Sequence, residues 1–287
     1  MIYGLVAAMG WGLSDLWAAM SGRRIGSFRT AVLAQITVAV ALCVAMLAVR
    51  PDLSRLDAVV PWLVLNGFLG AVAFATLYRA LELGPIAIVS PVLASYAVVP
   101  VVLSVLLLEE TLGGWEIAGT CVTILGAVVT STDLRAIRAG TRTRPPGLPL
   151  AVVSTVVFGV ATYVLGWAAK EAGPLPSLWF GRLAMTLVIL VAWIVVRVRS
   201  PTRRPSESLF GAPVTLAVLV GLLELVGSFA YARGSEVGLV SIVTAASATY
   251  PLIPVFGGVV LLRERPAPNQ FVGVAMVIGG LMLLAVA

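Results

Sequence analysis

Residues 70–128 read GAVAFATLYRALELGPIAIVSPVLASYAVVPVVLSVLLLEETLGGWEIAGTCVTILGAV, and the chain contains this stretch twice. Shifting the sequence by 154 residues lays Gly70–Val128 on Glu224–Met282 without a gap, with 17 identities in 59 positions. In so apolar a chain matched aliphatic residues carry little weight, and the residues that punctuate the run decide. Arg79, Glu82 and Gly84 fall on Arg233, Glu236 and Gly238. Tyr96 and Pro100 fall on Tyr250 and Pro254, and Glu110, Gly119 and Gly126 on Glu264, Gly273 and Gly280. Charges, glycines and prolines that recur at one offset mark an internal repeat.

Outward from this stretch, the solvent follows from composition. The chain is 60% hydrophobic and 11% charged, with a mean hydropathy of +1.06, whereas a soluble domain carries roughly 25% charged residues. Apolar runs near the roughly 20 residues that cross a bilayer recur ten times. They are expected at about 2–20, 28–49, 58–80, 86–108, 114–131, 148–168, 175–196, 212–232, 238–262 and 267–286. The breaks between them hold turn and charge signals: Arg23-Arg24, Arg50-Pro51-Asp52, Gly84-Pro85, Pro145-Pro146-Gly147, Gly173-Pro174 and Arg203-Arg204-Pro205. The first run has no basic segment ahead of it and leads straight into further spans, so it is expected to be a retained helix.

The first two helices of each half also correspond, at an offset of 147: Trp11-Gly12 meets Phe158-Gly159, Arg23 meets Lys170, Gly26 meets Gly173 and Arg50 meets Arg197. The seven-residue difference falls in the 198–212 loop, where insertions are cheap. The expectation is therefore an all-α integral membrane protein of ten transmembrane helices, built as two inverted-topology five-helix repeats. Residues 1–131 form the first repeat, 132–147 an arginine-rich linker and 148–287 the second. An odd number of spans per half forces the halves into opposite orientations, an arrangement typical of secondary transporters.

The same residues narrow the function classes. Net charge is +6, but the arginines gather in the breaks, as membrane topology requires, and form no nucleic-acid footprint. There is no histidine, which excludes histidine-ligated metals, and Cys43 and Cys121 both lie in apolar runs, which makes a disulfide framework a poor reading. No nucleophile–base pair and no phosphate-cradling glycine loop supports an enzyme. Neither a metal nor a cofactor is expected. The partners expected are a small-molecule substrate, the lipid bilayer and protons, for a monomer or a homodimer. A channel or a lipid scramblase would share the hydropathy and stands as the alternative to a carrier.

Candidate site residues are the polar ones at membrane depth, where a charge costs at least about 2.5–3.5 kcal/mol on insertion scales. Asp15 lies four residues after Trp11 on one face of the first helix, with a reach toward Arg23 and Arg24 as its structural reading. Gln35 in the second helix has Arg182 as its counterpart in the seventh. Glu224 lies mid-span in the eighth, followed by Ser228 and Tyr231; it reads as a proton-coupling carboxyl, or else as the structural partner of Arg182. Asn66 reads as a packing residue. Pro100 and Pro254 sit inside helices four and nine, where each removes a hydrogen bond and kinks the helix; the freed carbonyl must find a partner inside the bundle. Tyr96 and Tyr250, four residues earlier, share the face of the kink and are expected to line a central cavity. Ser90, Ser95, Thr244, Ser247 and Thr249 add hydroxyls whose bland reading is helix–helix glue. Arg79 and Arg233, with Glu82 and Glu236 three residues on, read as helix-end pairs. Glu110 and Glu264 are expected to satisfy the free N–H groups of the fifth and tenth helices.

These features resemble the drug/metabolite transporter superfamily, in particular its EamA type. The resemblance rests on Trp11-Gly12, degenerate as Phe158-Gly159, and on the block from Tyr78 to Gly119 that returns from Tyr231 to Gly273. It covers essentially the whole chain. It implies a carrier of small metabolites, amino acids or drug-like compounds in the plasma (inner) membrane, often an exporter, driven by a proton gradient or by exchange. Such proteins usually keep both termini in the cytoplasm. Here the breaks after helices one, three, five, seven and nine, with Arg29 and Arg79 at the adjoining helix ends, hold 14 Lys and Arg against 4 in the others, and the positive-inside rule then places both termini outside.

Overall fold

The computed structural model describes residues 1–83, 92–132, 134–135, 137, 147–199, 212–253, 256–257 and 267–286. The described residues form ten helices and no strand. In chain order they are α1 (Ile2–Ile25), α2 (Ser27–Val49), α3 (Val60–Leu83), α4 (Val92–Leu107), α5 (Gly114–Ser131), α6 (Leu148–Ala172), α7 (Pro174–Arg199), α8 (Ala212–Val237), α9 (Val240–Ser247) and α10 (Pro268–Val286). Seven are long and apolar enough to cross a bilayer. Bulky aliphatic and aromatic side chains such as Leu47, Trp62, Leu106, Trp115 and Phe271 point outward, while the interior holds alanines, serines and threonines. That inversion suits a bundle in lipid, where close helix approach replaces the hydrophobic effect.

Helices α1, α6 and α8 run four or five residues past their expected apolar ends. Hydropathy stops where charged residues begin, but the backbone hydrogen bonds continue into the headgroup zone. Between α1 and α2, and again between α6 and α7, one glycine makes the turn. Gly26 has φ 89° and Gly173 φ 84°, a left-handed conformation open to glycine, at positions related by the repeat.

The inverted topology is visible at α5 and α10, which correspond in the repeat and pack antiparallel. A Cβ on Gly126 would meet the Gly273 carbonyl at 2.9 Å, and one on Gly119 the Gly280 carbonyl at 2.9 Å. At one end of the pair, Asn269 Nδ2 donates to the Val129 and Thr132 carbonyls. The other principal pairings also join the halves: α1 with α8 and its counterpart α6 with α3, then α3 with α7 and its counterpart α8 with α2. The two repeats interlock.

Both central helices break where the sequence places a proline one turn later. In α4 the 3-10 turn Ser95–Ala97 precedes Pro100. Residues 248–251, around Tyr250, turn in the same way after α9. Pro254, Ser90 and Glu264 lie outside the described residues. Glu110 departs from expectation: it caps α9 of the opposite half, accepting from Val240 N–H (2.7 Å), Ser241 N–H (3.0 Å) and Ser241 Oγ (2.7 Å). Its own α5 is capped by Glu116, which accepts from Gly113 N–H at 2.7 Å. The reason is a turn at Glu109, φ 53°, which parts Glu110 from the start of α5 and leaves it facing the buried N-terminus of α9.

Candidate functional site

The carbonyl freed by each proline meets the glycine of the other half. Tyr96 O lies 2.9 Å from where a Cβ of Gly159 would stand, and Tyr250 O 2.6 Å from that of Gly12. Tyr250 O recovers a partner in Ile253 N–H at 3.1 Å. The Trp11-Gly12 and Phe158-Gly159 pairs are thus related places where the backbone of a broken helix presses on a straight one, with the aromatic beside it. The rings gather there: Tyr96 stacks edge-on against Phe158 (5.2 Å) and tilted against Tyr250 (6.1 Å), and Trp11 lies against Tyr231 (5.6 Å).

A polar cluster joins α1, α2, α7 and α8. Arg182 Nη1 donates to Glu224 Oε1 at 2.5 Å and Arg182 Nη2 to Ser228 Oγ at 2.6 Å. Trp11 Nε1 donates to the same Ser228 hydroxyl at 3.3 Å, and Gln35 Nε2 to Glu224 Oε2 at 3.1 Å. The Arg182 and Glu224 side chains are only 15% and 14% exposed, so neither charge can be removed without stranding the other. The sequence left two readings of Glu224, and the contact observed is the one with Arg182. Asp15 does not enter this cluster. Its side chain is exposed into the interior of the bundle, within electrostatic reach of Glu224, Tyr96 and Tyr250, and it makes no ion pair among the described residues.

These groups surround a cavity of about 890 Å³. Trp11, Asp15, Gln35, Tyr96, Arg182, Glu224, Ser228 and Tyr250 all line it. Of the two kink prolines, Pro100 is buried and Pro254 lies outside the described residues. The lining continues through Ala18, Thr30, Arg79 and Ala192, toward the helix ends on the side of the 132–147 linker. On the side of the termini, a cluster of Ala7, Ala230, Tyr231, Val240 and Val243 blocks the way. Beyond it, Lys170 of α6 meets Glu110 at 2.9 Å.

Three residues in or beside the site were not legible in the sequence as such. Asn66 lines the cavity and donates to the Ala161 carbonyl of α6; as a single amide in an apolar run it gave no sign of its partner. Arg79 lines the cavity, and its counterpart Arg233 makes the expected pair with Glu236. Lys170, opposite Glu110, had only its correspondence with Arg23 to signal it. Of the hydroxyls, Thr244 bonds Tyr231 at 2.9 Å and Ser247 approaches Tyr96 at 3.5 Å, while Ser95 and Thr249 bond back to their own helix turns.

Comparison with known proteins agrees with this architecture. No curated protein matches the chain in sequence. A solved structure described as "Crystal structure of protein" superimposes with a TM-score of 0.76 at 20% identity, over 99% of this chain and 96% of that one, which establishes the shared fold. The sequence profile of the EamA-like transporter family matches residues 1–132 and 145–286. The chain, a ten-helix bundle of two inverted repeats around a central cavity and matched over both halves, belongs to the EamA-like transporter family.

Proposed function

We propose that this protein is a secondary active exporter of small organic molecules that works by alternating access, with the central cavity as its substrate site. The observation that carries this reading is the cavity itself. It reaches Asp15 and the Arg182–Glu224 pair from the linker side, while the side of the termini is sealed by packed residues and the Glu110–Lys170 pair. A carrier must hold such a closure in each of two states, and inverted repeats supply two closures of related construction. The arginine excess puts the linker side in the cytoplasm, so the mouth faces the compartment from which an exporter loads. The residues proposed to act on substrate or coupling ion are Trp11, Asp15, Gln35, Tyr96, Arg182, Glu224, Ser228 and Tyr250. Because Glu224 is held by Arg182, Asp15 is proposed as the carboxyl that exchanges a proton for substrate.

The test is counterflow. Proteoliposomes preloaded with unlabelled amino acids, nucleobases and organic amines are diluted into labelled tracers of each class. A transient tracer overshoot for one class, saturable and faster under a proton gradient, is the expected result. Tracer that only equilibrates, with conductance rising linearly in concentration, would support a channel instead.

A further inference from the structure

Several donors on the cavity wall already have partners within the protein: Arg182 is divided between Glu224 and Ser228, and Gln35 Nε2 and Trp11 Nε1 donate to the same two residues. Asn66 Nδ2 donates to Ala161, and the hydroxyls of Ser14, Ser154 and Thr155 donate to backbone carbonyls. Two acceptors on the wall stand out. Gln35 is 4% exposed, and its Oε1 has no partner; the Nε2 bonds to Glu224 fix which way the amide points. The Asp15 carboxylate is likewise without an ion-pair partner among the described residues. Tyr250 keeps its hydroxyl, which can act either way. The remaining wall is apolar and aromatic, with Phe74, Phe158 and Tyr96 facing the space.

We infer that the cavity selects an organic cation, a protonated amine on an apolar or aromatic body, with Asp15 as its counter-charge and Gln35 Oε1 as a second acceptor. A ligand carboxylate is less favoured at Arg182, because the Glu224 carboxylate already matches the charge of that guanidinium. An aromatic wall adds to a cation's binding through its ring faces. The assignment rests on the carrier reading and narrows it to one substrate class.

Three probes that share a phenethyl body separate the charge classes: phenethylamine, phenylalanine and 3-phenylpropionate. Equilibrium binding to the full-length protein in nanodiscs, followed by counterflow, should rank the amine first by at least tenfold. Asp15→Asn should weaken the amine at least tenfold at an unchanged melting temperature, since Asp15 makes no hydrogen bond or ion pair among the described residues, and Asp15→Glu should restore part of the loss. Tighter binding of phenylalanine or 3-phenylpropionate, or an amine affinity untouched by Asp15→Asn, overturns the cation assignment. Failure of all three to bind saturably overturns it as well. If the amine binds as expected but shows no counterflow, the cation site stands and the carrier reading falls.

Discussion

At the scale of single residues, the Arg182–Glu224 pair is the element whose loss should be felt most. Glu224→Gln keeps size and the Gln35 contact but leaves Arg182 as a buried cation, at a cost of about 3–5 kcal/mol. The expected outcome is poor yield and a lowered melting temperature, recovered in large part by adding Arg182→Gln. A single variant that melts like the wild type would show that the pair does not hold the bundle together. Tyr96→Phe and Tyr250→Phe keep the ring contacts and remove only a hydroxyl, so each should weaken substrate binding by about 0.5–1.5 kcal/mol without changing the melting temperature. The sequence made these residues conspicuous, because an ionisable or amide group inside an apolar run has few bland explanations. It did not disclose their partners: Gln35 and Glu224 are 189 positions apart, and such a contact follows from helix packing that no local pattern encodes.

At the scale of elements, α10 offers a comparison within one dipeptide. A Cβ on Gly280 would collide with Thr123 Oγ1 and stand 2.6 Å from its N, while one on neighbouring Gly279 meets nothing within 4 Å. Gly280→Ala should therefore cost about 1–3 kcal/mol through forced separation of α5 and α10, and Gly279→Ala should be neutral or slightly stabilising. Equal melting temperatures for the two variants would contradict the α5–α10 packing. The cap on α9 makes a second element-scale prediction. Burial alone would push the Glu110 carboxyl up, but the Ser241 hydroxyl and N–H, the Lys170 ammonium and the Val240 N–H together hold it below the usual carboxylate range. A carboxyl lowered in the folded state stabilises above its unfolded value and loses that contribution only as acid carries it through the folded one. The closure on the side of the termini should then be indifferent to pH between about 6 and 8, and Glu110→Ala should cost about 2 kcal/mol at neutral pH. Thermal melts of both proteins across pH check the point. Helix existence was legible from hydropathy and punctuation, and α5 starts and stops where the sequence places it. The cap was not: Glu110 precedes α5 in the chain, and only the tertiary fold turns it to α9.

At the scale of the molecule, the repeat carried the architecture, because glycines at corresponding positions, Gly12 and Gly159 among them, serve corresponding contacts in the two halves. Orientation is a separate matter, set by charge at the breaks. The 14-to-4 distribution of Lys and Arg predicts that single cysteines at Thr141 and Thr202, in a protein lacking Cys43 and Cys121, resist an impermeant maleimide in intact cells; ready labelling of both would reverse the topology. The central claim is that one cavity opens alternately to the two faces. Its most direct test is the accessibility of a cavity cysteine at Ala75, which lines the space from α3. Impermeant maleimide applied separately to each face of sealed vesicles should label this cysteine from both. With Glu110→Cys and Lys170→Cys bridged by a short cross-linker, labelling should persist from the linker side and vanish from the side of the termini. A cysteine reached from the same single face with or without the cross-link, or reached from both faces while it is in place, would contradict alternating access.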